Sequence, residues 1–353
     1  QGQWELDLFG RHGAELRSAL GQARASQADA IAARTLLSAN VARAYVQLAR
    51  QLAQREVAMR ALAQRDELLS LVRQRVDAGL DTNVELRQGE GALPETRQQI
   101  EALDEQIALS RHLLAALSAQ PMGATAAIAP RLEQIKLDAL PTDVPVNLLA
   151  QRADVMAQRW RAEAAGAEVD AARTLFYPNI NITGFLGFNA IGLDRVLKSS
   201  SQQYGITPAI DLPLFDAGRR QANLKGRLAD QDLAVSAYNG AVLEAVHDVA
   251  DQLTTGQSLD RQVEQQALAQ RAAESAYDLA LQRYRAGLGP YLTVLSAESA
   301  VLNQRRLAVD LRARAVDNRV SFIKALGGHW PASTALAIQG GAPADTTAKL
   351  SLK

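Results

Sequence analysis

The sequence predicts a mainly α protein with β: long antiparallel coiled-coil helical hairpins in two repeats, each continuous with short β-strands. Three observations point there. Helical periodicity persists over stretches far longer than an ordinary globular helix. One turn occurs twice, around Ala78-Gly79-Leu80 and Ala286-Gly287-Leu288, about 208 positions apart. Segments of about ten residues alternate apolar and polar side chains, which is the strand period.

The bulk properties agree. The chain has 353 residues with aromatics at only 5%, and Ala, Leu, Gln and Arg abound, as in long helices. A formal net charge of zero gives no electrostatic ground for nucleic acid as a partner. With no Cys there are no disulfides, thiol nucleophiles or thiolate metal sites. No apolar run reaches the roughly 18 residues of a membrane-spanning helix.

Taken in order, residues 3–9 alternate, with Trp4, Leu6 and Leu8 on one side. From about residue 14 to Asp77 the pattern is helical, with Leu37, Val41, Ala44 and Leu48 stepping along one face. Gly21 marks a weak point or a close neighbour. Gly79 ends the helix by supplying a left-handed conformation. The return helix carries a heptad seam of Leu86, Leu93, Ile100, Ile107 and Leu114, with Pro94 inside it expected to bend or break the helix.

The first repeat therefore spans residues 1–120. Residues 121–147, rich in Pro and small residues, form a linker. The second repeat spans 148–330. A helix starting near Val144-Pro145 runs to about Thr174. Residues 176–188 and Tyr204 to Phe215 then alternate. Ile180, Ile182, Leu186 and Phe188 share one face in the first of these, and Tyr204, Ile206, Ile210, Leu212 and Leu214 in the second. Such strands fit either a transmembrane barrel or, more commonly on pattern alone, a half-buried soluble sheet. A second long helix follows, with Val242, Val246, Val249 and Leu253 on one face. After Gly287 comes a seam of Leu295, Leu302, Val309, Val316 and Ile323, each 209 residues after its counterpart. Residues 331–353 are expected to be a disordered tail.

The segment before the second repeat, about 144–188, has no counterpart before the first. No signal peptide opens the chain, so an N-terminal truncation is expected. The strands present cannot close a barrel alone, which calls for several copies in a symmetric oligomer.

Catalytic and metal motifs do not emerge. His12, His112, His247 and His329 include no pair at helical zinc spacing, and no nucleophile elbow or phosphate loop occurs. No enzyme, cofactor or metal site is predicted.

The motifs do resemble a known family. Trp4-Glu-Leu-Asp-Leu-Phe-Gly-Arg11, Leu148-Leu-Ala-Gln-Arg-Ala-Asp154, Ala171-Ala-Arg-Thr-Leu-Phe-Tyr-Pro-Asn179 and Leu214-Phe-Asp-Ala-Gly-Arg219 resemble, in order, segments of outer-membrane efflux proteins. Arg283 to Leu288 with Tyr291 to Leu295 is similar to their second periplasmic hairpin tip. The resemblance implies a TolC-like fold: a homotrimer forming one β-barrel in outer-membrane lipid above a periplasmic α-helical tunnel. The branch it is most similar to comprises lipoprotein components of tripartite drug-efflux pumps. These work with a periplasmic adaptor (membrane fusion) protein and an inner-membrane resistance-nodulation-division (RND) transporter. Their lipidated Cys has no counterpart in this sequence.

By that resemblance Tyr284 matches a gate aromatic and Leu292 an apolar constriction, with Arg283 and Arg285 able to hydrogen-bond across the gate. Ser296 stands where relatives often carry Asp, and Ser299 where a basic residue can sit, which puts an ionic lock in doubt. Ala153 replaces a frequent Pro. The tips Ala78, Gly79, Leu80 and Ala286, Gly287, Leu288 resemble adaptor-docking turns. Read without the family, the glycines are helix caps and Tyr284 is a packing aromatic. The implied function is a passive conduit for drugs or other small molecules, opened by an iris-like loosening of the second hairpin. The alternatives are a type I protein-secretion conduit and a soluble coiled-coil scaffold.

Overall fold

The computed structural model describes residues 2–135, 139–141, 151–188, 202–212 and 214–328. The tail at 331–353 and the helix start expected near residue 145 lie outside these residues.

Strand β1 (Gly2–Leu6) leads into helix α1 (Arg11–Asp77), which turns into α2 (Asn83–Leu117). Among the described residues of the linker are two short 3-10 turns, Met122–Thr125 and Leu132–Gln134. Helix α3 (Ala153–Thr174) precedes strands β2 (Asn179–Phe188) and β3 (Gln202–Asp211). Helices α4 (Arg219–Arg285) and α5 (Tyr291–Ala325) complete the second repeat.

The repeat is metrically strict. Arg11 corresponds to Arg219, Asp77 to Arg285, Asn83 to Tyr291 and Leu117 to Ala325, an offset of 208 at all four helix ends. The 209-residue spacing of the apolar seams is therefore one position out of step with the backbone. On α5 the best-buried aliphatic side chains at the tip end are Val294 and Val301, whereas Leu295 is only partly covered. On α2 the expected seam holds, and Leu93, Ile100, Ile107 and Leu114 are buried. Leu37 and Val246 stay exposed, so the apolar stepping on α1 and α4 runs partly along an uncovered face.

Other expectations are corrected locally. β1 stops at Leu6 rather than residue 9 because Asp7 leaves the strand to cap α1, its carboxylate accepting the Gly13 N–H at 3.2 Å. β3 stops at Asp211 rather than 215, and Asp216 plays the same role, accepting N–H bonds from Gly218 and Arg220. Pro94 does not break α2. The ring sits on the exposed side, where the carbonyl it leaves without an N–H partner can meet water. The helix ending at Thr174 is described from Ala153, and Arg152 before it is extended (ψ 133°).

Arg152 is extended for a reason. Its buried guanidinium bridges Asp154 (2.7 Å) and Asp248 of α4 (3.3 Å), and donates to the carbonyl of Ala325 at the end of α5 (3.1 Å). One side chain thus ties three helices where the hairpins meet the linker. Close approach is used twice nearby. A Cβ on Gly21 would lie 2.9 Å from that of Ala164, so α1 and α3 touch there. A Cβ on Gly256 would press on the Leu140 side chain and lie 2.5 Å from Asn318 Oδ1 and 2.8 Å from Arg319 Nη1, so the glycine makes room for side chains of the linker and α5.

The three strands pair antiparallel in the order β1-β2-β3. The register aligns Trp4 with Ile182 and Pro208, and Leu6 with Ile180 and Ile210. One face is therefore apolar across the whole sheet, and it is uncovered: Trp4 is 66% exposed and Ile206 79%. The other face carries Gln3, Glu5, Asn181, Thr183, Thr207 and Ala209. There the Phe185 ring lies over Gly205, filling the space its missing side chain leaves.

Candidate functional site

The two hairpin turns lie side by side at the end of the bundle away from the sheet. Both close in the same way. Gly79 (φ 72°) and Gly287 (φ 73°) take the left-handed conformation, and Leu80 and Leu288 donate back to the carbonyls of Arg75 and Arg283 at 2.8 Å. This double closure satisfies the last helical carbonyls and needs no side chain. The chain then differs. Thr82 and Glu85 form a reciprocal capping box at the start of α2, whereas Pro290 precedes α5.

Between the turns sits a compact polar cluster. Arg75 donates to Asp81 through Nε at 2.9 Å and Nη2 at 3.3 Å, and through Nη1 to the carbonyl of Tyr284 at 3.2 Å. The Tyr284 hydroxyl donates to Asp81, and the Arg75 guanidinium lies 4.6 Å above the Tyr284 ring. Arg75 and Asp81 belong to the first hairpin and Tyr284 to the second, so the cluster ties the two tips together.

Burial pushes the Asp81 carboxyl up, but the bonds from Arg75 and Tyr284 outweigh it and hold the group below its ordinary value. Burial, with the bond to Asp81, pushes the Tyr284 phenol far up, so it stays a donor at any physiological pH. Behind the cluster Tyr277, Tyr284 and Tyr291 pack with Leu68, Val72, Val294 and Val301. Deeper still, Arg65 of α1 pairs with Glu298 of α5 at 3.0 Å.

The residues singled out from the sequence separate into two groups. Tyr284 is fully buried, facing the first hairpin. Leu292 is 64% exposed, and Ser296, Arg283 and Arg285 are exposed beside it. Ser296 donates to the Thr293 carbonyl and Arg283 to that of Leu288, so both polar groups are engaged within their own segment. Ala78, Gly79, Leu80, Ala286, Gly287 and Leu288 are all exposed at the turns. Arg75, Asp81, Arg65 and Glu298 were not anticipated. One signal was available: Arg75 and Arg283 are repeat counterparts, yet Asp81 corresponds to Gly289, so only the first copy has a carboxylate to receive its arginine.

Helical hairpins longer than any ordinary globular core requires, rooted in a sheet with one exposed apolar face and one polar face, define the class of outer-membrane channels with an α-helical periplasmic extension. The comparisons agree. A family model described as "Outer membrane efflux protein" matches residues 1–120 and 144–328. The multidrug resistance outer membrane protein MdtQ of Escherichia coli O157:H7 is 32% identical over 333 residues, covering 92% of this chain and 68% of that protein. The crystal structure of VceC from Vibrio cholerae superposes with a TM-score of 0.85 at 36% identity, covering 92% of this chain and 78% of that one. A membrane protein from Pseudomonas aeruginosa gives 0.86 at 30% identity, covering 93% and 74%.

This chain belongs to the outer membrane efflux protein family. It is an outer-membrane protein that extends into the periplasm, and its family is one of channel and transport proteins. The soluble-scaffold alternative falls with that assignment. The exposed apolar face of the sheet has the alternating pattern of the lipid side of a barrel wall.

Proposed function

We infer that the protein is the outer-membrane channel of a tripartite efflux pump, a passive conduit for drugs or other small molecules. Three copies close one barrel and one helical tunnel. A periplasmic adaptor docks at the turns Ala78-Gly79-Leu80 and Ala286-Gly287-Leu288, and an inner-membrane RND transporter supplies the energy. The relatives named for multidrug resistance support this cargo. The exposed apolar side chains Leu16, Leu20, Ile31, Leu36, Leu233 and Leu243 on α1 and α4 support the assembly, since neighbouring copies would cover them.

One observation carries the gate: the Arg75–Asp81–Tyr284 cluster tethers the second hairpin tip to the first. With Tyr284 anchored beneath, the exposed Leu292, Ser296, Arg283 and Arg285 are held at the mouth. Freeing Tyr284 lets the second hairpin swing outward. The test is single-channel conductance of the native-length protein in planar bilayers. Leu292→Ala is expected to raise the closed-state conductance, and an unchanged value rejects the gate.

A further inference from the structure

Arg65 and Glu298 form a buried ion pair between α1 and α5, flanked along both helices by apolar side chains. Their side chains are 12% and 3% exposed. Arg65 donates through Nε to Glu298 Oε1 at 3.0 Å, and through Nη1 to Thr96 Oγ1 at 2.8 Å and the Ala92 carbonyl at 3.1 Å. The guanidinium therefore joins α1, α2 and α5. Glu298 is less well served, because its second oxygen is buried with no hydrogen-bond partner among the described residues. A pair like this adds little net stability, since desolvation offsets most of the attraction.

Its surroundings show what it can do instead. On α5 the residues one turn to either side of Glu298 are Val294, Val301 and Leu302, all buried. On α1 those flanking Arg65 are Ala61, Leu68 and Leu69, also buried. Aliphatic seams of this kind are nearly degenerate, because a slide of one helical turn replaces one apolar contact with another. The ion pair breaks the degeneracy from inside the seam, whereas the other charged pairs between these two helices, Arg43–Asp317 and Arg50–Asp310, are partly exposed and can trade partners for water. After such a slide Arg65 faces a valine or leucine and Glu298 faces an alanine or leucine, leaving two buried charges unpaired.

We propose that Arg65 and Glu298 are positioning residues that pin the axial register of the second hairpin against the first. They thereby hold the mouth residues Leu292 and Ser296 at the level where the channel closes. The proposal rests on the gate reading above. Glu298 lies two residues beyond Ser296 on the same helix, so any slip of the pin moves the mouth by the same distance.

The experiment compares native-length channels in planar bilayers, with thermal unfolding measured on the same samples. The apolar double variant Arg65→Met/Glu298→Leu is expected to unfold at or above the wild-type temperature. Its closed-state open probability should still rise about tenfold, the equivalent of ~1.4 kcal/mol. The exchange Arg65→Glu/Glu298→Arg is expected to bring it back toward wild type. A double variant that is stable and as tightly closed as wild type overturns the pin. If that variant does not assemble, Glu298→Gln, which keeps the volume, decides in the same way by its open probability. Leu292→Ala serves as the control. A leak there with none in the Arg65 and Glu298 variants rejects the pin alone, and no leak in either rejects the gate reading itself.

Discussion

Replacing Asp81 with Ala should open the tip, and the size of the effect follows from the contacts. The carboxylate accepts two bonds from Arg75 and one from the Tyr284 hydroxyl, and both charged side chains are close to nine-tenths covered. Removing one member of a buried pair costs about 3–5 kcal/mol, because the partner's charge is left without its counter-ion. Here Arg75 keeps the Tyr284 carbonyl and the face of the Tyr284 ring. The loss should therefore sit near the lower bound, ~3 kcal/mol, or roughly a hundredfold shift of the closed–open balance. Tyr284→Phe removes one charge-assisted bond and leaves the Arg75–Asp81 pair, so ~1.5 kcal/mol and about tenfold is expected. Open probability in planar bilayers at neutral pH reads both. Glu85→Ala is the control, since it breaks the capping box of the same turn, at ~1 kcal/mol of helix stability, without touching the tie. The expected order is Asp81→Ala above Tyr284→Phe above Glu85→Ala and wild type. A Glu85→Ala channel as leaky as Asp81→Ala would mean that the turn merely needs to be folded, and would refute the tethering argument.

Protons should act on the two carboxylates in opposite directions. Asp81 is held below its ordinary value, so its tie is intact above about pH 3.9 and is lost as pH falls through its lowered folded-state value; Asp81→Asn should remove that acid-induced opening. Burial pushes the Glu298 carboxyl up despite Arg65, so its contribution is full below about pH 4.3 and is lost as pH rises through its folded-state value. Thermal unfolding of wild type against Glu298→Gln should diverge in that sense. Arg152→Ala should destabilise by ~3 kcal/mol, and Arg152→Lys should not restore it, because an ammonium cannot span Asp154, Asp248 and the Ala325 carbonyl together; denaturation midpoints report both. Gly256→Ala should cost about 1–3 kcal/mol by crowding the Leu140, Asn318 and Arg319 side chains packed on that glycine, again read by denaturation.

The helices were readable because their periodicity is long and unbroken, and the turns because the same left-handed glycine occurs at both. The sheet faces were readable because alternation survives pairing: Trp4, Ile182 and Pro208 do line one face. Strand ends were not, since Asp7 and Asp216 look like strand or turn residues until the N–H groups they cap are in view. Pro94 misled because a proline's effect depends on whether its side of the helix is wet. The tip glycines could be found from sequence, but the partners of Tyr284 could not, because Asp81 lies 203 residues away. Arg65 and Glu298 escaped notice for a similar reason. A charge in a helical pattern normally marks a solvated face, and only the packing of two hairpins reveals that these two positions are interior.

The equal lengths of the paired helices have a consequence of their own. At 67 residues for α1 and α4 and 35 for α2 and α5, the hairpins are matched like the legs of a caliper. One residue added to a single leg advances its tip by ~1.5 Å and rotates it by roughly 100°. That is enough to carry Tyr284 off Asp81. Length changes in one hairpin can therefore persist only when the other changes in step, or when they fall in the linker and the strand connections, which carry no such measure. The two halves of this chain are bound to a common length by contacts that run along α1 and α5, from Arg43–Ser321 and Arg50–Asp310 to the tie at their far ends.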